Sequence, residues 1–375
     1  MSTIFDAARR SQFKFAYTTR YLPPGHVAGM TIEGQPRSGD VVVARVVEIG
    51  QHKRLECADS RKATLFPGDE IVVCFANRYA PAQFEAVVPE SLGVCDLVAA
   101  GGVAATALSW HVDKGEPTVI DVLGYATDAT GRRINLEDHR VVDRCNQVAP
   151  AHADRPYTIV VAGTSMDSGK TTSAAGIIKG LVAGGLSVGA AKVTGTGAGG
   201  DVWLMADAGA RPVVDFTAIG MASTYLMGHE RIVDSFVCLH DHLRSSGVDV
   251  AVIEIADGLF LSDTADLLAA DALRSRCDGV VFAAGDAAGA QNGVSMLRSL
   301  DLEVLAVSGL LTASPLATRE AQSCLDVPVL ALPELWSADH ALIDGARCRS
   351  LLRRVAMPTP IQRTPAGRAP VAVAS

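Results

Sequence analysis

One short stretch constrains the fold more than any other: residues 157–172, YTIVVAGTSMDSGKTT. A β-branched run, Thr158, Ile159, Val160 and Val161, ends at Ala162-Gly163. A short polar loop follows, and Gly169-Lys170-Thr171-Thr172 then open an alanine-rich stretch with helical spacing. Strand, small-residue loop and helix in this order make a cradle for phosphate. Small loop residues let backbone N–H groups approach phosphate oxygens. The helix N-terminus adds the positive end of its dipole, and the lysine adds a full charge. Gly163, Thr164, Ser165, Met166, Asp167, Ser168, Gly169, Lys170, Thr171 and Thr172 are therefore the expected phosphate contacts, with the Thr171 hydroxyl placed for a phosphate-bound Mg²⁺. The spacing departs from the common G-x-x-x-x-G-K-[ST] pattern, because five residues separate Gly163 from Gly169 and threonine stands at 164.

The chain has 375 residues, which predicts two domains. Residues 1–145 read as a small β-rich unit. GDVVVARVVEIG and GDEIVVCFANR are β-branched runs, each introduced by Gly-Asp. Shorter alternating segments lie at 54–57, 63–65 and 84–88, which suggests a small barrel or compact antiparallel sheet. Residues 92–112 read as helical with an interruption at Gly101-Gly102, and 117–137 as a hairpin. The clusters Arg20-Tyr21 and Asn77-Arg78-Tyr79 read as solvated loops rather than a ligand-contacting rim. The polar stretch 143–156 is the expected boundary, and the Pro/Ala-rich tail 357–375 is expected to be disordered.

From residue 157 to 356 apolar strands alternate with helices. That pattern predicts an α/β unit, a parallel sheet covered on both faces, with ligands at the carboxyl ends of its strands. Strands are expected at 187–193, 249–255, 279–283, 303–307 and 327–330. Their ends bring Lys192 and Glu254 beside the phosphate loop. Glu254 is the first candidate to hold Mg²⁺ and Asp257 the second. Lys192 is a candidate for neutralising a substrate carboxylate or phosphate. Asp201, Asp207 and Asp215 are further metal candidates, with Asp215 preferred because it follows an apolar run and precedes a small, hydroxyl-rich segment. His240 and His242, two residues apart, point to different sides of a helix, so His240-Asp241-His242 reads as a solvated face rather than a metal cluster.

Composition narrows the function classes. The formal charge is −8, which argues against a general nucleic-acid or anionic-membrane binder. The uncharged candidate span at 97–112 is shorter than the ~18–20 residues of a membrane helix. Eight cysteines without C-x-x-C spacing suggest neither zinc nor a disulfide framework. A cytoplasmic protein acting on a small molecule, assembled as a homodimer, is the expectation. No N-K-x-D follows a late strand, so ATP is the default nucleotide.

The loop GTSMDSGKTT resembles the GTDTxxGKT loop of dethiobiotin synthetase and its P-loop relatives, which include cobyrinate-type amide ligases and MinD-like ATPases. The matching residues are Gly163, Thr164, Gly169, Lys170 and Thr171. Lys192 and Glu254 look like that family's substrate-side lysine and Mg²⁺-binding glutamate. The resemblance implies ATP- and Mg²⁺-assisted activation of a carboxylate or amine, of ligase or phosphoryl-transfer type, with Lys170, Lys192 and Glu254 as catalytic residues. The second loop lysine of MinD-type ATPases is absent. Residues 193–227 are also similar to a P-loop family containing D-glutamate N-acetyltransferases, through the TG start and the DAGA and VVDF segments. That resemblance implies acetyl-CoA as the alternative phosphate ligand, although the β-rich first half departs from it. A nucleotide-gated binding or chaperone protein is the third alternative.

Overall fold

The computed structural model describes residues 2–23, 25–143, 154–337 and 342. The expected boundary falls largely, and the expected disordered tail wholly, outside the described residues.

The first half is built on five principal strands: β1 (Val41–Glu48), β2 (Glu70–Phe75), β3 (Val94–Ala99), β4 (Val103–Trp110) and β5 (Thr118–Thr127). Their pairings close on themselves. β5 pairs with β1, β1 with β2, β2 with β4, β4 with β3, and β3 returns to β5. Closure of this kind leaves the ring without free edges. Alternate residues sort into two apolar clusters. Val42, Ala44, Val46, Ile71, Val73 and Leu97 belong to one. Val41, Val43, Val72, Cys74 and Val98 belong to the other.

Residues 92–112 are therefore not helical. They form the antiparallel pair β3–β4, turning at Gly101-Gly102 with Gly102 at φ +97°. Their Ala, Leu and Val content is compatible with either state, and the glycine turn decides it. The expected hairpin at 117–137 is one long strand, β5, followed by single bridges Thr127–Arg133 and Asp40–Asn135 and a short 3₁₀ turn.

The second half is a six-stranded parallel sheet: β6 (Tyr157–Gly163), β7 (Val188–Lys192), β8 (Val213–Asp215), β9 (Val250–Glu254), β10 (Gly279–Ala283) and β11 (Val304–Ser308). The spatial order is β8-β7-β9-β6-β10-β11. The strand β8 is additional to those expected, while 327–330 contributes only a bridge from Val329 to Val307. β6 is central, and its alternate residues feed opposite faces. Val160 and Ala162 join one apolar cluster, Ile159 and Val161 the other. Helix α1 (Lys170–Ala183) covers the second face with Ile177, Ile178 and Leu181, and each fully buried side chain of this kind contributes about 1.5–3 kcal/mol.

Candidate functional site

Sheet register assembles the site. Glu254, last residue of β9, lies beside Val161 of β6 on one side and Lys192 of β7 on the other. The acid and the lysine therefore stand at the carboxyl edge next to the loop that leaves β6, as the general rule for parallel sheets requires. Gly169 caps α1 in the left-handed conformation at φ +95°. A Cβ there would stand 2.9 Å from Gly309 Cα, because the chain after β11 closes against the loop and the Leu310 amide donates to Ser168 O at 2.9 Å.

Within this frame the Thr171 hydroxyl donates to Glu254 Oε1 at 3.1 Å. The other carboxylate oxygen, Oε2, is buried with no hydrogen-bond partner among the described residues. Lys170 reaches back to donate to Ser165 O at 2.6 Å. Lys192 meets Asp201 and stands 3.7 Å from Glu254 Oε1. Burial pulls the Lys170 ammonium below its ordinary value, partly offset by Glu254 and Asp257. Burial would do the same to Lys192, but the carboxylates of Glu254 and Asp201 outweigh it and hold the lysine firmly charged. Burial raises Glu254 and Asp257, against the pull of the two lysines.

These groups line a cavity of about 510 Å³, and the wall opposite them comes from the first half: His52, Arg78, Tyr79, Gln83 and the Ala99–Gly101 turn. The halves meet closely. A Cβ on Gly101 would lie 1.9 Å from Gly197 O, so the glycine-rich segment after Lys192 serves to let the barrel approach.

The expected site residues divide. Met166, Asp167, Gly169, Lys170, Thr171, Thr172, Lys192, Asp201, Glu254 and Asp257 all line the cavity. Asp167 is exposed and left-handed at φ +64°, a conformation that aspartate tolerates better than most residues. Of the expected phosphate contacts Gly163, Thr164, Ser165 and Ser168 lie outside the cavity lining, and so does the exposed Asp207. Asp215 is also apart from it. It is 1% exposed and accepts hydrogen bonds from Tyr17, Arg20 and the Thr217 amide, so its oxygens are already committed.

Two loop clusters correct the sequence reading. Arg20 stacks on Tyr17 and Tyr21 and pairs with Asp215 at 2.9 Å, and Arg78 is 5% exposed. Neither is a solvated loop residue: Arg20 is covered where it meets Asp215 of the second half, and Arg78 lies in the cavity wall against Gln83 and Phe84. The signal available in sequence was an arginine beside tyrosines, too common to decide between rim and surface. His240 is likewise buried, within 3.2 Å of Thr158 Oγ1, rather than on a solvated face.

A magnesium ion suits hard oxygen ligands and keeps several waters, needing few protein groups. The unpartnered Glu254 Oε2 beside the Thr171 hydroxyl fits that requirement. Among the described residues no group of three or more His, Cys, Asp or Glu side chains is arranged around a common point, and no helix is long and apolar enough to cross a membrane.

No family model matches the chain. No curated protein matches it. Among solved structures, the signal recognition particle receptor FtsY of Elizabethkingia anophelis aligns at 16% identity and TM-score 0.29, over 41% of this chain and 50% of that one. The same receptor in complex with GDP aligns at 19% identity and TM-score 0.31, over 47% of this chain and 56% of that one. The alignments thus span about half the length of those chains. The chain's own geometry is a P-loop-like parallel α/β sheet preceded by a mainly-β unit.

Proposed function

We propose that the protein is a Mg²⁺-dependent, ATP-binding P-loop enzyme that activates a small carboxylate or amine substrate in the cavity between its two halves. The observation that carries this reading is the Thr171–Glu254 contact of 3.1 Å, with an unpartnered carboxylate oxygen on the same wall as Lys170. Lys170 would bridge the terminal phosphates, and the loop amides between Gly163 and Gly169 would cradle them. Thr171 and Glu254 would hold Mg²⁺, which when bound neutralises charge on the phosphate oxygens. Lys192, held charged by two carboxylates, would orient the acid. An apolar pocket of about 300 Å³ adjoins the loop, lined by Gly169, Thr172, Leu310, Ala331, Leu332 and Pro333, and suits a nucleobase face.

The experiment is a thermal-shift panel of ATP, GTP and acetyl-CoA with and without Mg²⁺, followed by phosphate-release assays with small acids. Stabilisation by ATP that requires Mg²⁺, with phosphate release dependent on an acid, supports the reading. Stabilisation by acetyl-CoA alone would replace it with acyl transfer. Phosphate release that responds only to a protein partner would replace it with a nucleotide-gated switch.

A further inference from the structure

The wall of the cavity supplied by the first half holds a cation that forms no ion pair among the described residues. Arg20, Arg133 and Arg155 meet the carboxylates of Asp215, Asp40 and Asp278, and the fully buried Arg276 donates to Ala272 O at 3.1 Å. Arg78, 5% exposed, meets no carboxylate among the described residues. Its Nη2 donates to Gln83 Oε1 at 2.7 Å, while Nε and Nη1 have no hydrogen-bond partner there.

A guanidinium withdrawn from water without an anion carries a large desolvation cost, and its unused donors add to it. Burial lowers Arg78 to about 10, with Asp257 the one acid opposing the shift. The residue is not positioned by accident. It sits in the short strand Arg78–Tyr79, paired with Phe84–Val87, and its guanidinium lies 5.9 Å from the Phe84 ring. Gln83, itself on the cavity wall, fixes one end of the fork. A guanidinium with donors still to satisfy suits an oxyanion, the partner arginine meets most strongly.

We propose that Arg78 is an oxyanion receptor contributed by the first half, completing the cavity opposite Lys170. The proposal rests on the nucleotide reading above and extends it. The oxyanion is either the terminal phosphate of the nucleotide or the anionic group of the second substrate, and one experiment separates these sources.

The full chain and its variants Arg78→Gln and Gln83→Glu are titrated calorimetrically with ADP, with ATP, and, in the presence of ADP, with inorganic phosphate and succinate. Gln83→Glu places a carboxylate against the fork and occupies it from within, so it carries the test where Arg78→Gln fails to fold. A loss of about tenfold or more for ATP, with ADP unchanged, assigns Arg78 to the terminal phosphate. The same loss for phosphate or succinate, with both nucleotides unchanged, assigns it to the second substrate. Folded variants that bind every probe as the parent does overturn the proposal, as does a parent that binds none of them. If the parent binds phosphate or succinate but no nucleotide, the nucleotide reading fails by itself, and the same anion titrations without ADP still decide the role of Arg78.

Discussion

The Tyr17 hydroxyl donates to Asp215 Oδ2 at 2.8 Å and joins two halves of the chain across 198 positions. Arg20 completes the bond from the same turn, with its guanidinium over the Tyr17 ring at 3.8 Å from the centroid. Asp215 is thereby a structural anchor, and the Thr217 amide makes it an N-cap as well. Burial and the Asp215 charge both raise the Tyr17 phenol, so it stays a donor throughout the ordinary pH range.

Tyr17→Phe is expected to lower stability by about 1.5–3 kcal/mol, the range for a buried hydrogen bond to a charged group. Asp215→Asn leaves Arg20 buried without its carboxylate and is expected to cost about 3–5 kcal/mol. Urea denaturation reads both. A folded Asp215→Asn whose nucleotide affinity has lost its response to Mg²⁺ would restore Asp215 as a metal ligand.

Gly101→Ala places a methyl group 1.9 Å from Gly197 O, where only backbone can yield. Overpacking of this kind costs about 1–3 kcal/mol. Because Gly101 and Thr196 both line the cavity, ligand affinity is expected to fall together with the melting temperature. A variant with unchanged melting temperature would show that the halves do not approach as described.

His52 is 8% exposed beside Phe84, and burial followed by the Arg78 charge lowers it to about 4. A histidine depressed in the folded state contributes stability above its unfolded value near 6.5, which is lost as pH falls towards 4. A separation of this size corresponds to about 3 kcal/mol at most. His52→Gln should flatten the stability profile between pH 6.5 and 4, measured by denaturant titration at stepped pH, and an unchanged slope would contradict the assignment.

Glu254→Gln keeps the side-chain shape and an acceptor for the Thr171 hydroxyl while removing the charge that would attract Mg²⁺. Nucleotide affinity without metal is expected to stay within about threefold of the parent, since a neutral hydrogen bond of the same geometry changes little. The gain on adding Mg²⁺ is expected to disappear. An undiminished Mg²⁺ gain would remove Glu254 from the metal site.

How much of this was legible in the sequence depended on how local the cause was. The strand–loop–helix at 157–172 and the edge bearing Lys192 and Glu254 follow from apolar runs and chain direction. Residues 92–112 read as an interrupted helix because Val, Ala and Leu suit helix and strand alike, and only pairing across the Gly101-Gly102 turn makes them two strands. Arg20 and Arg78 read as solvated loop residues, and both are largely buried. Tyr17 and Tyr21 beside Arg20, and Gln83 and Phe84 beside Arg78, are visible in the sequence, but the Asp215 that fixes Arg20 and the cavity wall that holds Arg78 are set by the tertiary fold. Asp215 has a sequence context that suits a ligand, yet its oxygens are taken by residues of the other half.

The most direct test of the central claim is a calorimetric titration of ATP, with and without Mg²⁺, into the parent protein and Lys170→Ala. The account predicts saturable binding, tightened about tenfold or more by Mg²⁺ and abolished by the substitution. Binding of ATP that is equal in the parent and in a folded Lys170→Ala would contradict it.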